Sequence, residues 1–146
     1  MSFQIRIDAE SELARVSCPG TLDAADARLA VKALWEAPGW EGKSSIWDFR
    51  ETKFKMSHAE IQLIGQFILS NQPETAPLKV AFVTAKETDF GLAHRFGDYR
   101  EDPQTEFRVF RNYKKALTWA RDLAPTRENS SKAANQDEPK GFLRSL

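Results

Sequence analysis

The stretch LKVAFVT, residues 78–84, is the most apolar strand candidate in this 146-residue sequence. A nearly continuous apolar run of this length is typical of a strand buried on both faces of a parallel sheet. Strand-like and helix-like segments alternate on either side of it, which is the order found in α/β proteins. We therefore predict a layered α/β fold in which this strand takes a central position.

Four further segments predict strands. Residues 3–8 and 13–18 alternate apolar and polar side chains and are joined by a short polar link, so they predict a β-hairpin. Residues 45–49 and 106–110 are short and rich in strand-forming residues. The predicted fold class is α/β, with a mixed, mostly parallel five-stranded sheet that opens with the hairpin and is flanked by about four helices.

The clearest helix signal begins at Ser57. Ser57 and Glu60 stand three residues apart and predict a capping box, in which each side chain bonds the backbone amide of the other residue. The other predicted helices are one over 21–37 with Thr21 as its cap, a short one over 88–97, and a last one capped by Asn112.

Residues 1–124 have the composition of one α/β domain, whereas residues 125–146 are polar and lack an apolar period. We expect the second segment to be a flexible tail. Lys plus Arg and Asp plus Glu both number 21, so the net charge is zero and no nucleic-acid partner is expected. Neither a leader peptide nor a membrane-spanning stretch is recognisable, and the cytoplasm is the expected location.

One basic run interrupts this neutral pattern. It contains Arg108, Arg111, Lys114, Lys115 and Arg121, with no acidic residue among them. Such a run could contact an anionic membrane surface or RNA. Because acidic residues flank it and the whole chain is neutral, we interpret it as a solvated strand-and-helix face.

The sequence carries no recognisable catalytic motif. It has no glycine-rich phosphate loop and no serine placed between glycines as a nucleophile elbow. His58 and His94 lie on different predicted helices without metal-ligand spacing, and Cys18 is the only cysteine. We expect no metal, no cofactor and no enzymatic activity, and we interpret Cys18 as a half-buried structural residue.

In parallel sheets, ligands bind beyond the carboxyl ends of the strands. The candidate ligand-binding residues at those ends, and on the segments that follow them, are Asp48, Arg50, Phe54, Thr84, Lys86, Phe90 and Arg95. Their mixture of rings and cations would suit an amphipathic anion such as a lipid or acyl headgroup. The alternative interpretation is that the rings cap the edge of the core and the cations are solvated.

Three motifs resemble a known family: WDFR at 47–50, GLAHRF at 91–96, and VFR at 109–111 followed by ALTW at 116–119. Together with the order of elements, they resemble the SpoIIAA-like branch of the STAS superfamily, also called STAS/SEC14 domain proteins, over residues 3–123. The resemblance implies a SpoIIAA-like fold and a small partner-binding module.

The resemblance also implies a phosphorylation site. Family members of the anti-sigma-factor-antagonist type are switched by phosphorylation of a Ser or Thr at the start of the helix after the third strand. At that junction Thr52 and Ser57 are the only hydroxyl residues, and Ser57 is the candidate. The loop is longer and more basic than the family's usual turn, and this departure puts the sigma-factor role in doubt.

Two classes of function follow. The first is a non-catalytic STAS-like module that binds a protein partner or a small amphipathic, lipid-like ligand. An enclosed apolar pocket near Phe54 and Phe90 would favour the ligand, and a flat exposed apolar patch would favour the protein. The alternative is a small enzyme in which Asp48 converges with Arg50 or Lys86 in a cleft and has a perturbed pKa. A homodimer is a third role to consider.

Overall fold

The computed structural model describes residues 3–8, 12–41, 43–73, 78–87, 89, 91, 93, 94, 96 and 105–122. The strands of the main sheet are β1 (Gln4–Asp8), β2 (Leu13–Ser17), β4 (Ser44–Asp48), β6 (Leu78–Val83) and β7 (Thr105–Phe110). A second, two-stranded sheet consists of β3 (Gly20–Asp23) and β5 (Thr52–Lys55). The helices are α1 (Ala24–Glu36), α2 (His58–Asn71) and α3 (Tyr113–Arg121).

The main sheet has the strand order β1-β2-β4-β6-β7. Strand β1 pairs with β2 antiparallel as the opening hairpin, and all the other neighbours are parallel. The prediction of a mixed, mostly parallel five-stranded sheet is therefore confirmed. The apolar stretch at 78–83 forms β6, which lies between β4 and β7 and next to the central strand.

The helices agree with the prediction less completely. The described ranges contain three helices with defined bounds, so the expected number of about four is slightly too high. In the segment predicted as a short helix over 88–97, the described residues Asp89, Gly91, Ala93, His94 and Phe96 have helical backbones. The capping box of α2 is confirmed: the Glu60 amide donates to the Ser57 hydroxyl at 3.1 Å, and the Ser57 amide donates to the Glu60 carboxylate at 2.8 Å.

The start of α1 was predicted wrongly. Thr21 belongs to β3, and the residue that caps α1 is Asp23, whose carboxylate accepts from the Asp26 amide at 2.8 Å. Both residue types are good caps, so local sequence could not decide between them. The decision comes from the parallel pairing of Gly20–Asp23 with Thr52–Lys55, a segment about thirty residues away that was expected to be a loop.

Side chains on the two faces of the main sheet form two separate cores. On one face, Val16 of β2 and Trp47 of β4 pack with the buried sides of α1 and α2. On the other face, Ile46 of β4 and Ala81 of β6 pack with Ala116 of α3. This division follows from the alternation of side chains along each strand, which sends neighbouring residues of β4 to opposite faces.

A buried lysine holds the end of α3 against the sheet. Lys79 of β6 is only 6% exposed, and its ammonium group donates to the carbonyls of Trp119 at 2.8 Å and Asp122 at 2.6 Å. These carbonyls are at the C-terminal end of the helix, where Trp119 also accepts from the Asp122 amide at 3.3 Å. Burial lowers the pKa of Lys79, although Asp122 and Glu106 act in the opposite direction.

Three further predictions concern a membrane-spanning segment, a metal site and the C-terminal tail. No helix in the described ranges is long and apolar enough to cross a bilayer. The same ranges contain no group of three His, Cys, Asp or Glu side chains that could hold a metal ion. The predicted tail, residues 125–146, lies outside the described residues.

Candidate ligand-binding cavity

The carboxyl edge of the main sheet brings together Asp48 and Arg50. Asp48 ends β4, and its carboxylate forms a two-point contact with Arg50: Nε to Oδ1 and Nη2 to Oδ2 are both 2.8 Å. The Arg50 amide also donates to Oδ1 at 3.1 Å. The guanidinium lies 4.6 Å from the centre of the Tyr113 ring, so the pair is on the α3 side of the sheet.

This contact determines the protonation of Asp48. Partial burial by itself would raise the pKa of the Asp48 carboxyl. The hydrogen bonds and the positive charge of Arg50 outweigh that effect, so the pKa lies below its usual value. The carboxylate is therefore ionised at neutral pH and already has a cationic partner.

The other predicted site residues are dispersed. Phe54 lies on β5, where its ring contacts Phe49 edge-to-face with a centroid distance of 5.1 Å. Thr84 is fully buried after β6, its amide donates to the Phe110 carbonyl at 3.0 Å, and its hydroxyl has no partner among the described residues. Lys86 is exposed. Phe90 and Arg95 lie outside the residues whose side chains are described.

Two single residues have clear structural roles. Cys18 is 2% exposed, and burial, assisted by the negative charge of Asp48, raises the pKa of its thiol to about 12. It is therefore more deeply buried than the half-buried position we expected. Ser57 is exposed and caps α2.

A large cavity lies on the opposite face of the main sheet from the Asp48–Arg50 pair. It has a volume of about 710 Å³ and is bounded by the sheet, α1, α2 and the small β3–β5 sheet. Among the described residues, seven aromatic side chains line it: Trp35, Trp40, Trp47, Phe49, Phe54, Phe82 and Phe96. Aliphatic side chains of α1 and α2, including Val31 and Ile64, form most of the remaining wall.

The aromatic part of the wall is a connected set of ring contacts. Phe49 and Phe82 meet edge-to-face at 5.0 Å with an interplanar angle of 84°, and Phe82 stacks on Phe96 at 5.4 Å. Trp47 lies 6.2 Å from both Phe49 and Phe82. Such offset and edge-to-face pairs hold one another in place, so this wall has a defined shape.

Polar groups in the wall are few. The described lining residues include Ser45, Ser70, Gln72 and Thr105, and none of the described lining residues is charged. Ser45 is 4% exposed and its hydroxyl accepts a hydrogen bond from the indole Nε1 of Trp47 at 3.2 Å. The most exposed lining residues lie near the end of α2: Leu69 is 39% exposed, and Ser70 and Pro73 are also exposed. The cavity therefore reaches the surface there.

Sequence reasoning predicted an apolar pocket near Phe54 and Phe90 for the ligand hypothesis, and Phe54 does line the cavity, but it did not predict how far the cavity extends. It placed the site at the carboxyl edge, whereas the cavity extends behind the sheet from Phe49 to Ser45, the second residue of β4. One signal was present in the sequence. Ser45, Trp47 and Phe49 alternate along β4, so they share one face, where two large rings stand next to a small polar side chain.

The strand order, the antiparallel opening hairpin and the helices on both faces define a SpoIIAA-like α/β fold, which confirms the fold that the resemblance implied. A crystal structure with this fold is that of an uncharacterized protein of the DUF3478 family from Shewanella loihica PV-4. The two superpose with a TM-score of 0.56 at 17% sequence identity, covering 82% of this chain and 92% of that one. No protein-family model matches the sequence, and no curated protein matches it either. At this identity, the likeness establishes the fold alone.

Proposed function

We propose that the chain is a non-catalytic binding module that holds a small, mostly apolar ligand in the cavity between the main sheet and helices α1 and α2. The single observation that carries the proposal is the cavity itself. Its volume of about 710 Å³ falls within the range of about 300–1,000 Å³ that is typical of small-molecule sites. Its lining of rings and aliphatic side chains, with few polar groups, is also typical of such sites.

Packing energetics support an occupant. Protein interiors contain few voids larger than a water molecule. The cavity reaches the surface, so water can enter it, and an apolar ligand would replace that water favourably because most of the described wall is apolar.

The enzyme alternative has weaker support. It requires Asp48 to converge with Arg50 or Lys86, and Asp48 does meet Arg50. However, a general base works best with a pKa near the operating pH, and Arg50 moves the pKa of Asp48 in the other direction. The pair also lies on the opposite face of the sheet from the cavity.

Binding of a protein partner is the second candidate. The exposed large apolar residues in the described ranges are Leu29, Leu63 and Leu69. Single exposed apolar residues are ordinary on protein surfaces. Leu69 belongs to the cavity opening, so its exposure supports the ligand as well as a protein.

The basic run gives little support to a nucleic-acid partner. Arg108 is 7% exposed and lies 5.7 Å from the ring centres of both Phe110 and Trp119. Arg111 pairs with the Glu87 carboxylate at 2.7 Å. Two cations of the run thus already have partners within the fold.

The proposal is tested with the freshly purified full chain. Native mass spectrometry would detect a retained small molecule and would also report whether the chain is a homodimer. After organic extraction, the neutral fluorophore N-phenyl-1-naphthylamine should bind with one site per chain, and its emission should increase in the apolar cavity. A chain that carries no small molecule and does not bind the fluorophore would contradict the proposal.

A further inference from the structure

The hydrogen bond between Trp47 and Ser45 leaves one proton without an acceptor. An indole nitrogen can only donate, so the Ser45 hydroxyl oxygen must accept in their 3.2 Å contact. A hydroxyl group also has one proton to donate. No described residue accepts a hydrogen bond from it, although Ser45 is 4% exposed. A buried donor that remains unpaired is costly, so this proton is available to a molecule in the cavity.

Ser45 is the first residue of β4 that lines the cavity. Phe49 is four residues further along the extended chain, which corresponds to about 13 Å at about 3.3 Å per residue. Both residues line the cavity, so its wall extends at least that far along β4. A connected group of rings, Phe49, Phe54 and Phe82, lies toward the Phe49 end. An elongated molecule could therefore place its apolar part among the rings and an oxygen atom at Ser45.

The described part of the wall favours an uncharged ligand. None of the described lining residues is charged, and the Asp48–Arg50 pair lies on the other side of the sheet. An ionised headgroup placed against these residues would lose its hydration without gaining an opposite charge from them, and this is strongly unfavourable. A neutral carbonyl or ether oxygen would lose much less, and it could accept the proton of Ser45.

We infer that the ligand is an uncharged, elongated apolar molecule with an acceptor oxygen, and that Ser45 is the residue that recognises this oxygen. The inference rests on the proposed function, because it concerns the same cavity. It differs from the sequence-based hypothesis, in which cations at the carboxyl edge would bind an anionic headgroup. The chemical class it selects is the neutral ester, ketone or ether, and not the free fatty acid.

Two probes of similar length test the charge preference. Methyl decanoate and decanoate should both be titrated against chain loaded with N-phenyl-1-naphthylamine, and displacement should be followed by fluorescence. We expect the ester to bind at least about tenfold more tightly than the carboxylate, since the anion must be desolvated without a partner. This comparison needs no variant. Equal binding, or tighter binding of decanoate, would overturn the inference.

Variants of the two adjacent serines test the role of Ser45. Ser45→Ala should weaken methyl decanoate binding by about 3- to 10-fold, the usual effect of one lost hydrogen bond. Ser44→Ala is a matched control, because Ser44 is also buried on β4 but faces the other core and accepts from the Lys79 amide at 3.0 Å. Ser45→Thr retains the hydroxyl and should retain the affinity.

Binding of the fluorophore distinguishes a failure of the inference about Ser45 from a failure of the proposed function. The fluorophore has no strong acceptor oxygen, so its binding to Ser45→Ala reports whether the cavity is still intact. If the fluorophore binds and methyl decanoate binds Ser45→Ala as tightly as the unaltered chain, the inference is wrong and the proposed function stands. If neither the fluorophore nor the ester binds the unaltered chain, both are wrong.

Discussion

Arg50 neutralises the Asp48 carboxylate through two parallel contacts of 2.8 Å, so the most conspicuous charged pair at the carboxyl edge is already satisfied within the protein. Two-point contacts of this kind are stronger and more directional than single ones. Their consequence is structural: they connect the end of β4 to the segment that leads into β5. The same contacts make the stability of the fold dependent on acid.

The first prediction concerns that dependence. The pKa of Asp48 is lower in the folded chain than in the unfolded one, so the ionised carboxylate stabilises the fold above the unfolded pKa. This contribution is lost as the pH falls from about 4 through the folded pKa. In Asp48→Asn, the free energy of unfolding should therefore decrease less between neutral and acidic pH than it does in the unaltered chain. Because Arg50 is 45% exposed, solvent screening limits the effect to about 1 kcal/mol or less.

Urea unfolding at about pH 7 and about pH 3 would measure this effect. Glu87→Gln is the control, since the Glu87–Arg111 pair has a similar length of 2.7 Å but Glu87 is 83% exposed. An acid profile of Asp48→Asn identical to that of the unaltered chain would show that the pair contributes nothing to stability.

The second prediction concerns Lys79. Lys79→Met keeps most of the apolar stem but removes the donor to the Trp119 and Asp122 carbonyls. We expect the free energy of unfolding to fall by about 1.5–3 kcal/mol, the range for hydrogen bonds that involve a charged group. Lys115→Met, an exposed position on α3, should change it by less than about 0.5 kcal/mol. Equal stability of the two variants in urea would contradict the role of Lys79.

The third prediction concerns the single thiol. A pKa of about 12 leaves almost no thiolate at Cys18 near neutral pH, and burial also blocks access. Iodoacetamide at about pH 8 should therefore alkylate the native chain at least about a thousandfold more slowly than the chain in guanidinium chloride. The extent of modification can be followed by intact mass. Rapid alkylation of the native chain would mean that the region around Cys18 opens frequently.

The fourth prediction uses two neighbouring residues of α2. Ile64 is 4% exposed and lines the cavity, whereas Leu63 is 56% exposed and does not. Ile64→Trp should fill part of the cavity and weaken N-phenyl-1-naphthylamine binding by at least about tenfold, while Leu63→Trp should leave it unchanged. Thermal unfolding of both variants is needed to confirm that they are folded. If Ile64→Trp is folded and binds the fluorophore normally, the cavity is not the binding site.

The sequence predicted those elements whose signal lies within a single short segment. The alternation over 3–8 and 13–18 identified the hairpin, and the Ser57–Glu60 spacing identified the start of α2. The start of α1 depends instead on β5, a strand too short and too polar to be recognised without its partner. Pairing between segments that are far apart in sequence decided that boundary.

The candidate site was harder to predict for the same reason. Asp48 and Arg50 are two residues apart, so their proximity follows from sequence, but their mutual neutralisation depends on the conformation of the turn. The cavity is formed by side chains from both sheets and both helices, and no single segment contains its pattern. Only the alternation of Ser45, Trp47 and Phe49 along β4 indicated part of the cavity wall.

The small β3–β5 sheet has a mechanical consequence. Strand β3 leads directly into α1 and β5 leads into α2, so backbone hydrogen bonds fix the N-terminal ends of both helices. Their C-terminal ends lie about 20 Å away, and there the helices meet through side chains, with Trp35 stacked on Phe67 at 5.9 Å. Stacked rings slide past one another more easily than a strand ladder breaks. The C-terminal ends of the two helices are therefore held together by side-chain contacts, and a ligand could pass between them near Leu69 without disrupting any strand of the larger sheet.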